Sequence, residues 1–418
     1  MMTETVADRT TCWTISTKLS FRFAFILILS FVILKNNGAF PLFSLATKPI
    51  LAATYQFVPW FSEHILHYHY DFKIVTNGSG DTSFDWVSLL IIVLIAAVGA
   101  IIWSIIDRKR TSYNDGYYWL TVIVRYYIAF MFINYGLIKM MHGQMPAPTL
   151  HRLMEPLGEF SPMGLAWTYF GFSKGYSFFV GLVEFLSILL LFRKTMVLGA
   201  LITLATAINV MAVNYFFDVP VKMLSTALFL FAVFLLLPYL RAMYLLFFKG
   251  EAAKLVAARV PIFNSRNRRM IRDISKGILL ILFGTMQFIS YQASSRLLKQ
   301  YMKKSPLHGI YRIDHSRAES ESIPTSWRSI IFEFEGTATV RDTDYLPARE
   351  SIALDTAKRT VSLNHVTFDY TRIDNGDIVL RHTQDDAIEE IWLRKVDPDK
   401  MELNKQGFRW IQEYPNNR

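Results

Sequence analysis

Apolar and polar positions divide the chain into two regimes. Up to about residue 300 long apolar runs alternate with short polar stretches, and beyond about residue 305 apolar and polar residues alternate at period two. Apolar runs of about 18 residues or more are long enough to cross a bilayer as helices. Seven such spans are predicted, at residues 19–34, 86–106, 118–140, 176–192, 195–217, 221–240 and 277–294. The segment 42–66 is moderately apolar, but Pro41, Pro49 and Pro59 interrupt it. That favours an interfacial hairpin or short helices there over an eighth span.

The later runs, at 309–313, 329–334, 351–355, 360–364, 366–370, 377–381 and 390–396, are separated by turn residues such as Asp374-Asn375-Gly376. Period-two alternation of this kind predicts an antiparallel meander. About eight strands suit a small up-and-down barrel, which leaves no open sheet edge. The expected fold is therefore a multi-span α-helical membrane protein of about seven transmembrane helices with a C-terminal antiparallel β-barrel-like soluble domain. The divisions fall at 1–117 (a transmembrane pair with an outer loop), 118–248 (a four-helix membrane core), 249–304 (a basic loop and the seventh helix) and 305–418 (the β domain).

Charge then gives a direction. Arg108-Lys109-Arg110, Arg193-Lys194 and the many basic residues of 241–276 follow alternate spans. The positive-inside rule places those loops in the cytoplasm, with the N-terminus inside and the C-terminus outside. Arg296, Lys299, Lys303 and Lys304 argue for the reverse, but they are fewer. The expected location is the cytoplasmic (inner) membrane of a bacterium with an extracytoplasmic β domain. All nine histidines then lie outside, as does the loop 142–174, long enough to fold back as a lid or re-entrant piece.

Composition agrees with a membrane protein: 52% of the 418 residues are hydrophobic and only 19% are charged. The net charge of +10 comes from basic groups beside apolar runs, which points to membrane lipids as partners and excludes nucleic acid. A single cysteine, Cys12, excludes an internal disulfide or a two-thiol relay. The first apolar run follows Lys18 and Arg22 in the manner of a signal peptide, but Lys35-Asn36-Asn37 stands where a small-residue cleavage site would be. It is read as an anchor.

The candidate chemistry lies where polar groups interrupt these spans. Glu184 falls in the fourth span, and Asn209 and Asn214 in the fifth, followed by Asp218 and Lys222. A carboxylate in hydrocarbon requires a partner and must face protein or water. Helical rise places Glu184 and Asn209 both about 12 Å below the outer surface and Asn134 at about 9 Å. Lys139, Asn214 and Asp218 lie nearer the mouth. An outward-opening polar pocket follows, with Lys139 as counter-charge to Glu184 or Asp218. Arg125 and Lys139 share a helix face while Asn134 lies about 140° away, so a bend at Gly136 would be needed to use all three. Structural readings stand beside these: asparagines as interhelical glue, Lys139 as a headgroup anchor, Arg125 snorkelling, and Asp218 capping the sixth span.

No histidine lies inside a span, and no phosphate-binding loop, zinc-protease helix or nucleophile elbow occurs. Glu63, His64, His67 and His69 have ligand chemistry, but no single regular element presents the three imidazoles together. No metal site is assigned, and Arg266-Asn267-Arg268-Arg269 is read as a headgroup contact.

The residues from Arg125 to Leu246 resemble the DoxX-like membrane family. The resemblance rests on Arg125, Phe132, Gly136, Lys139 and Met140 in one helix, on Glu184 in GLVEFLSILLLFRK, and on Gly199, Asn214, Asp218 and Lys222. It implies a four-helix unit linked to quinol oxidation, thiosulfate oxidation or oxidative-stress complexes, with Lys139, Glu184, Asn214 and Asp218 lining a polar site. Residues 406–418, Gly309-Ile310-Tyr311 and Trp327 resemble a lipocalin-like tail found on DoxX-related proteins of the Bacteroidetes.

The expected function is a redox-associated subunit that binds a quinone or similar amphipathic molecule. Glu184, Lys139 and Asp218 would do the proton chemistry, Asn134, Asn209, Asn214, Lys222 and Arg125 would bind the ligand, and a redox partner protein would carry the electrons. The alternative is a non-enzymatic envelope protein that binds or moves lipids, or an assembly factor.

Overall fold

The computed structural model describes residues 12–70, 79–252, 265–316, 323–342, 347–363, 365–384, 387–405 and 412. The resemblance at 406–418 falls almost wholly outside them. Among the described residues seven helical spans are long and apolar enough to cross a membrane: Ile15–Leu34, Ser83–Ile106, Asn114–Met140, Lys174–Leu191, Met196–Phe216, Lys222–Phe248 and Arg269–Tyr301. The chain is thus a helical membrane protein with a β domain. It divides into two compact units, one of residues 1–146 and 162–289, the other of 147–161 and 290–418.

In the first unit the helices are α1 (Ile15–Leu34), α2 (Phe43–His64), α3 (Ser83–Ile106) and α4 (Asn114–Met140). After α5 (Leu150–Leu153), which belongs to the second unit, come α6 (Pro162–Phe172), α7 (Lys174–Phe185), α8 (Met196–Phe216), α9 (Lys222–Leu236), α10 (Leu240–Phe248) and α11 (Arg266–Tyr301). α4 is the most buried of the spans, with Leu120, Tyr127, Phe130 and Phe132 enclosed by its neighbours. α3 instead leaves Ile95, Val98, Ile101 and Ile105 exposed, an apolar surface that suits lipid. Its start is fixed by a capping box between Thr82 and Asp85, and Asp85 also pairs with Lys35 at the end of α1. α11 packs Phe283 on Phe130 with ring centroids 4.1 Å apart.

One expectation needs correction here, and two gain detail. The proline-interrupted segment is one helix of 22 residues, α2, with Pro49 and Pro59 inside it. Each proline removes one backbone bond while the rest of the ladder persists, and Val58 is held against Val87 and Ile91 of α3. The fourth span changes geometry partway, passing from α7 into a 3₁₀ stretch at Leu186–Leu191. The loop 142–174 holds the 11-residue α6 after a short segment that belongs with the β domain.

Among the described residues the second unit contains nine strands: β1 (Lys304–Ile313), β2 (Trp327–Phe334), β3 (Thr337–Asp342), β4 (Pro347–Ser351), β5 (Ala353–Asp355), β6 (Thr360–Leu363), β7 (Val366–Arg372), β8 (Ile378–Gln384) and β9 (Ala387–Val396). The sheet order is β4-β3-β2-β1-β9-β8-β7-β6-β5, and all the pairings are antiparallel. Only Ile352 separates β4 from β5, so one bent strand pairs first with β3 and then with β6. The pairings therefore return to their start, as a curled, barrel-like meander requires. Ile330, Phe332, Phe368, Leu380 and Leu393 form its apolar core together with Trp327. The 147–161 segment is tied to this sheet. Glu333 accepts from the Leu150 and His151 N–H groups at 2.6 and 3.3 Å, and Arg341 donates to the His151 carbonyl at 3.2 Å.

Candidate functional site

The site begins at the crossing of α4 and α7. Gly136 and Gly181 face one another so closely that a Cβ on either would lie 2.6 Å from the carbonyl oxygen of the other. Small residues at such a crossing let two backbones meet. Gly136 therefore serves close contact, and α4 continues through it as one helix. Ser177 Oγ donates to the Lys139 carbonyl at 3.0 Å and Ser187 Oγ to the Ala129 carbonyl at 3.3 Å, pinning the span to α4 on both sides of Glu184.

That crossing brings Lys139 and Glu184 together. Lys139 Nζ donates to Glu184 Oε1 at 2.5 Å, with Glu184 only 1% and Lys139 7% exposed. Glu184 stands just before the α-to-3₁₀ change at Leu186, where the 3₁₀ stretch packs against Gly199 of α8. Its second oxygen, Oε2, is buried and has no hydrogen-bond partner among the described residues. A buried ion pair is favourable only when its remaining lone pairs are also satisfied, so this oxygen is an open valence of the site.

Both residues line a cavity of about 280 Å³. Phe132 and Tyr135 of α4 form one wall, Val210 and Val213 of α8 a second, and Leu224, Ser225 and Leu228 of α9 a third. Gln144, Met145 and the α6 residues Met163, Trp167 and Phe170 close another side. His142 ties the turn after α4 to α6, its Nε2 lying 2.8 Å from the Gly171 carbonyl. The result is a mostly apolar chamber with one charged end.

The predicted site residues divide sharply. Lys139, Glu184, Asn209 and Asn214 all line the cavity. Asn214 is buried and its Nδ2 donates to the Val221 carbonyl at 3.4 Å, so it also fixes the turn between α8 and α9. Asp218 is not in the cavity. Its side chain is 81% exposed, it adopts a left-handed φ of 50°, and it pairs with Lys222 at 2.7 Å. The backbone reversal that ends α8 turns Asp218 outward, and the pairing holds Lys222 outside the lining as well. Asp218 does not cap α9 either. That role belongs to Asp81, which accepts from the Lys222 and Met223 N–H groups at 2.5 and 2.9 Å.

Asn134 and Arg125 also lie outside the lining. For Asn134 the helix-face arithmetic already separates it from Lys139. Arg125 is buried, donating to the Met196 thioether at 3.7 Å beside the Tyr126 ring, so it does not snorkel to an interface. His64, of the outer histidine run, stacks on Trp60 and places Nδ1 3.0 Å from the Trp60 carbonyl.

Residues not singled out in the sequence complete the chamber. Tyr135 lies one turn before Lys139 and was findable by helical spacing, whereas Gln144 and Trp167 lie in the loop expected to fold back. Asp81 carries no local signal, because its partners are 141 and 142 positions away.

No family model matches the chain, and no solved structure matches it at a significant level. Over 113 residues it is 38% identical to the uncharacterized protein YwoB of Bacillus subtilis (strain 168). That stretch makes up 27% of this chain and 71% of that protein.

Proposed function

The chain belongs to the family of the uncharacterized protein YwoB, and we propose that it is a DoxX-like, redox-associated membrane subunit that binds one quinone-type amphipathic molecule. One observation carries this reading: a mostly apolar chamber ends at a buried Lys139–Glu184 pair with an open carboxylate oxygen. Buried ionisable groups facing a cavity inside a membrane protein are costly and typically mark a site of ligand or proton handling.

The residues present fit such a group. Phe132, Trp167, Val213 and Leu228 offer surfaces for a ring and an alkyl tail, while the Lys139–Glu184 pair makes the charged part of the lining. A quinone, when bound, supplies electron-and-proton chemistry. The chain's own part is to orient the head, keep water from it, and accept a proton at Glu184 Oε2 with Lys139 balancing the charge. Electrons would pass to a partner protein. The distribution of basic loops supports placing the chamber in the outer half of a bacterial cytoplasmic membrane, with the lipocalin-like domain outside. Asp218 and Lys222, an exposed pair, take no part.

The aliphatic character of the α8 and α9 walls favours a second reading, an envelope protein that binds or moves lipid without catalysis. One comparison separates them. In membranes holding the chain with its redox partner, Glu184→Gln is expected to lower quinol oxidation by about a hundredfold. An unchanged rate, together with a stoichiometric lipid in native mass spectra, would replace the redox reading by the lipid one.

A further inference from the structure

Two buried acceptors in the same chamber lack partners among the described residues: Glu184 Oε2 and the Gln144 side-chain oxygen. They come from different elements, one from α7 and one from the turn after α4. Lys139, the cation of the chamber, already donates to Glu184 Oε1. The two unpartnered atoms are thus both acceptors, each open to a hydrogen-bond donor.

From this we infer that the chamber prefers an amphiphile whose head carries hydroxyl groups to one whose head offers only acceptors. A carbonyl or ether head would bury lone pairs against lone pairs and leave both oxygens unpaired. A carboxylate or phosphate head would meet the open oxygen of Glu184 with a like charge. A head with two hydroxyl groups has a donor for each acceptor, and Val213 and Leu228 in the lining offer an apolar surface for its tail. The inference rests on the chamber being a ligand site, as proposed above, and adds which head it takes. For a quinone-type ligand it means the reduced, dihydroxy form is held in preference to the oxidised form. An aliphatic lipid alcohol has the same donor chemistry.

The test is equilibrium binding to the full-length protein in nanodiscs, read by quenching of Trp167 against a Trp167→Phe control. The probes are decylhydroquinone, its dimethyl ether, decylbenzoquinone and monodecanoylglycerol. The expected result is that at least one hydroxyl probe binds tenfold or more tightly than the ether and the benzoquinone, because a site with unpaired acceptors discriminates strongly against heads that cannot donate. Which hydroxyl probe is preferred identifies an aromatic or an aliphatic head. Gln144→Leu should reduce that preference while the fold persists, and Glu184→Gln should reduce it further. Equal binding of hydroxyl and ether probes would overturn the inference while leaving the chamber as a ligand site. Binding of no probe would overturn both.

Discussion

At the scale of single residues the account turns on one ion pair. Glu184 was legible because a carboxylate stands alone in an apolar run, and Lys139 because it lies at matching depth on the neighbouring helix. Asp218 shows where that reasoning fails. Position along a span fixes depth, but a left-handed residue at the end of α8 reverses the side chain, and Lys222 four residues later captures it. The pair itself makes a measurable prediction. Lys139→Met leaves a buried carboxylate without its partner and should destabilise the protein by about 3–5 kcal/mol. The double variant Lys139→Met, Glu184→Met should recover most of that loss, since an apolar pair of similar volume replaces a costly one. Denaturant unfolding in mild detergent measures both.

At the scale of elements, periodicity gave the spans and most strands, because a run of about 20 apolar residues and an alternating run have few other uses. What it could not give is contact between elements distant in sequence. The Gly136–Gly181 crossing joins residues 45 positions apart, yet it sets the spacing at which Lys139 meets Glu184. Gly136→Ala would place a Cβ 2.6 Å from a backbone oxygen that no side-chain rotation can move. The helices must then separate, with an expected loss of about 1–3 kcal/mol and a weaker Lys139–Glu184 contact. Unfolding midpoints check the first effect, and a shift of the Glu184 carboxylate infrared band checks the second. The proline-containing α2 teaches the same lesson from the other side: local breakers predicted an interruption, and packing on α3 overrode it.

At the scale of the molecule, the two regimes of the sequence became two compact units, with one exchange that no local pattern signals. Residues 147–161 lie between membrane helices in the chain but belong with the β domain, held by Glu333 and Arg341. On either side of that segment stand Met145 and Met163, both in the lining of the chamber. An antiparallel curled sheet was expected from the strand pattern, whereas the change of partner on either side of Ile352 was not.

The central claim is that the chamber inside the first unit, rather than the outer helix surface, receives an alkyl-tailed molecule. The most direct measurement is photolabelling in nanodiscs with a decylhydroquinone bearing a diazirine in its tail, followed by mass-spectrometric mapping of the adducts. The predicted result is labelling of Met145, Val213, Leu224 and Leu228, suppressed by excess unlabelled probe. Labelling confined to exposed positions such as Ile95, Leu198 and Phe216, and insensitive to competitor, would contradict it.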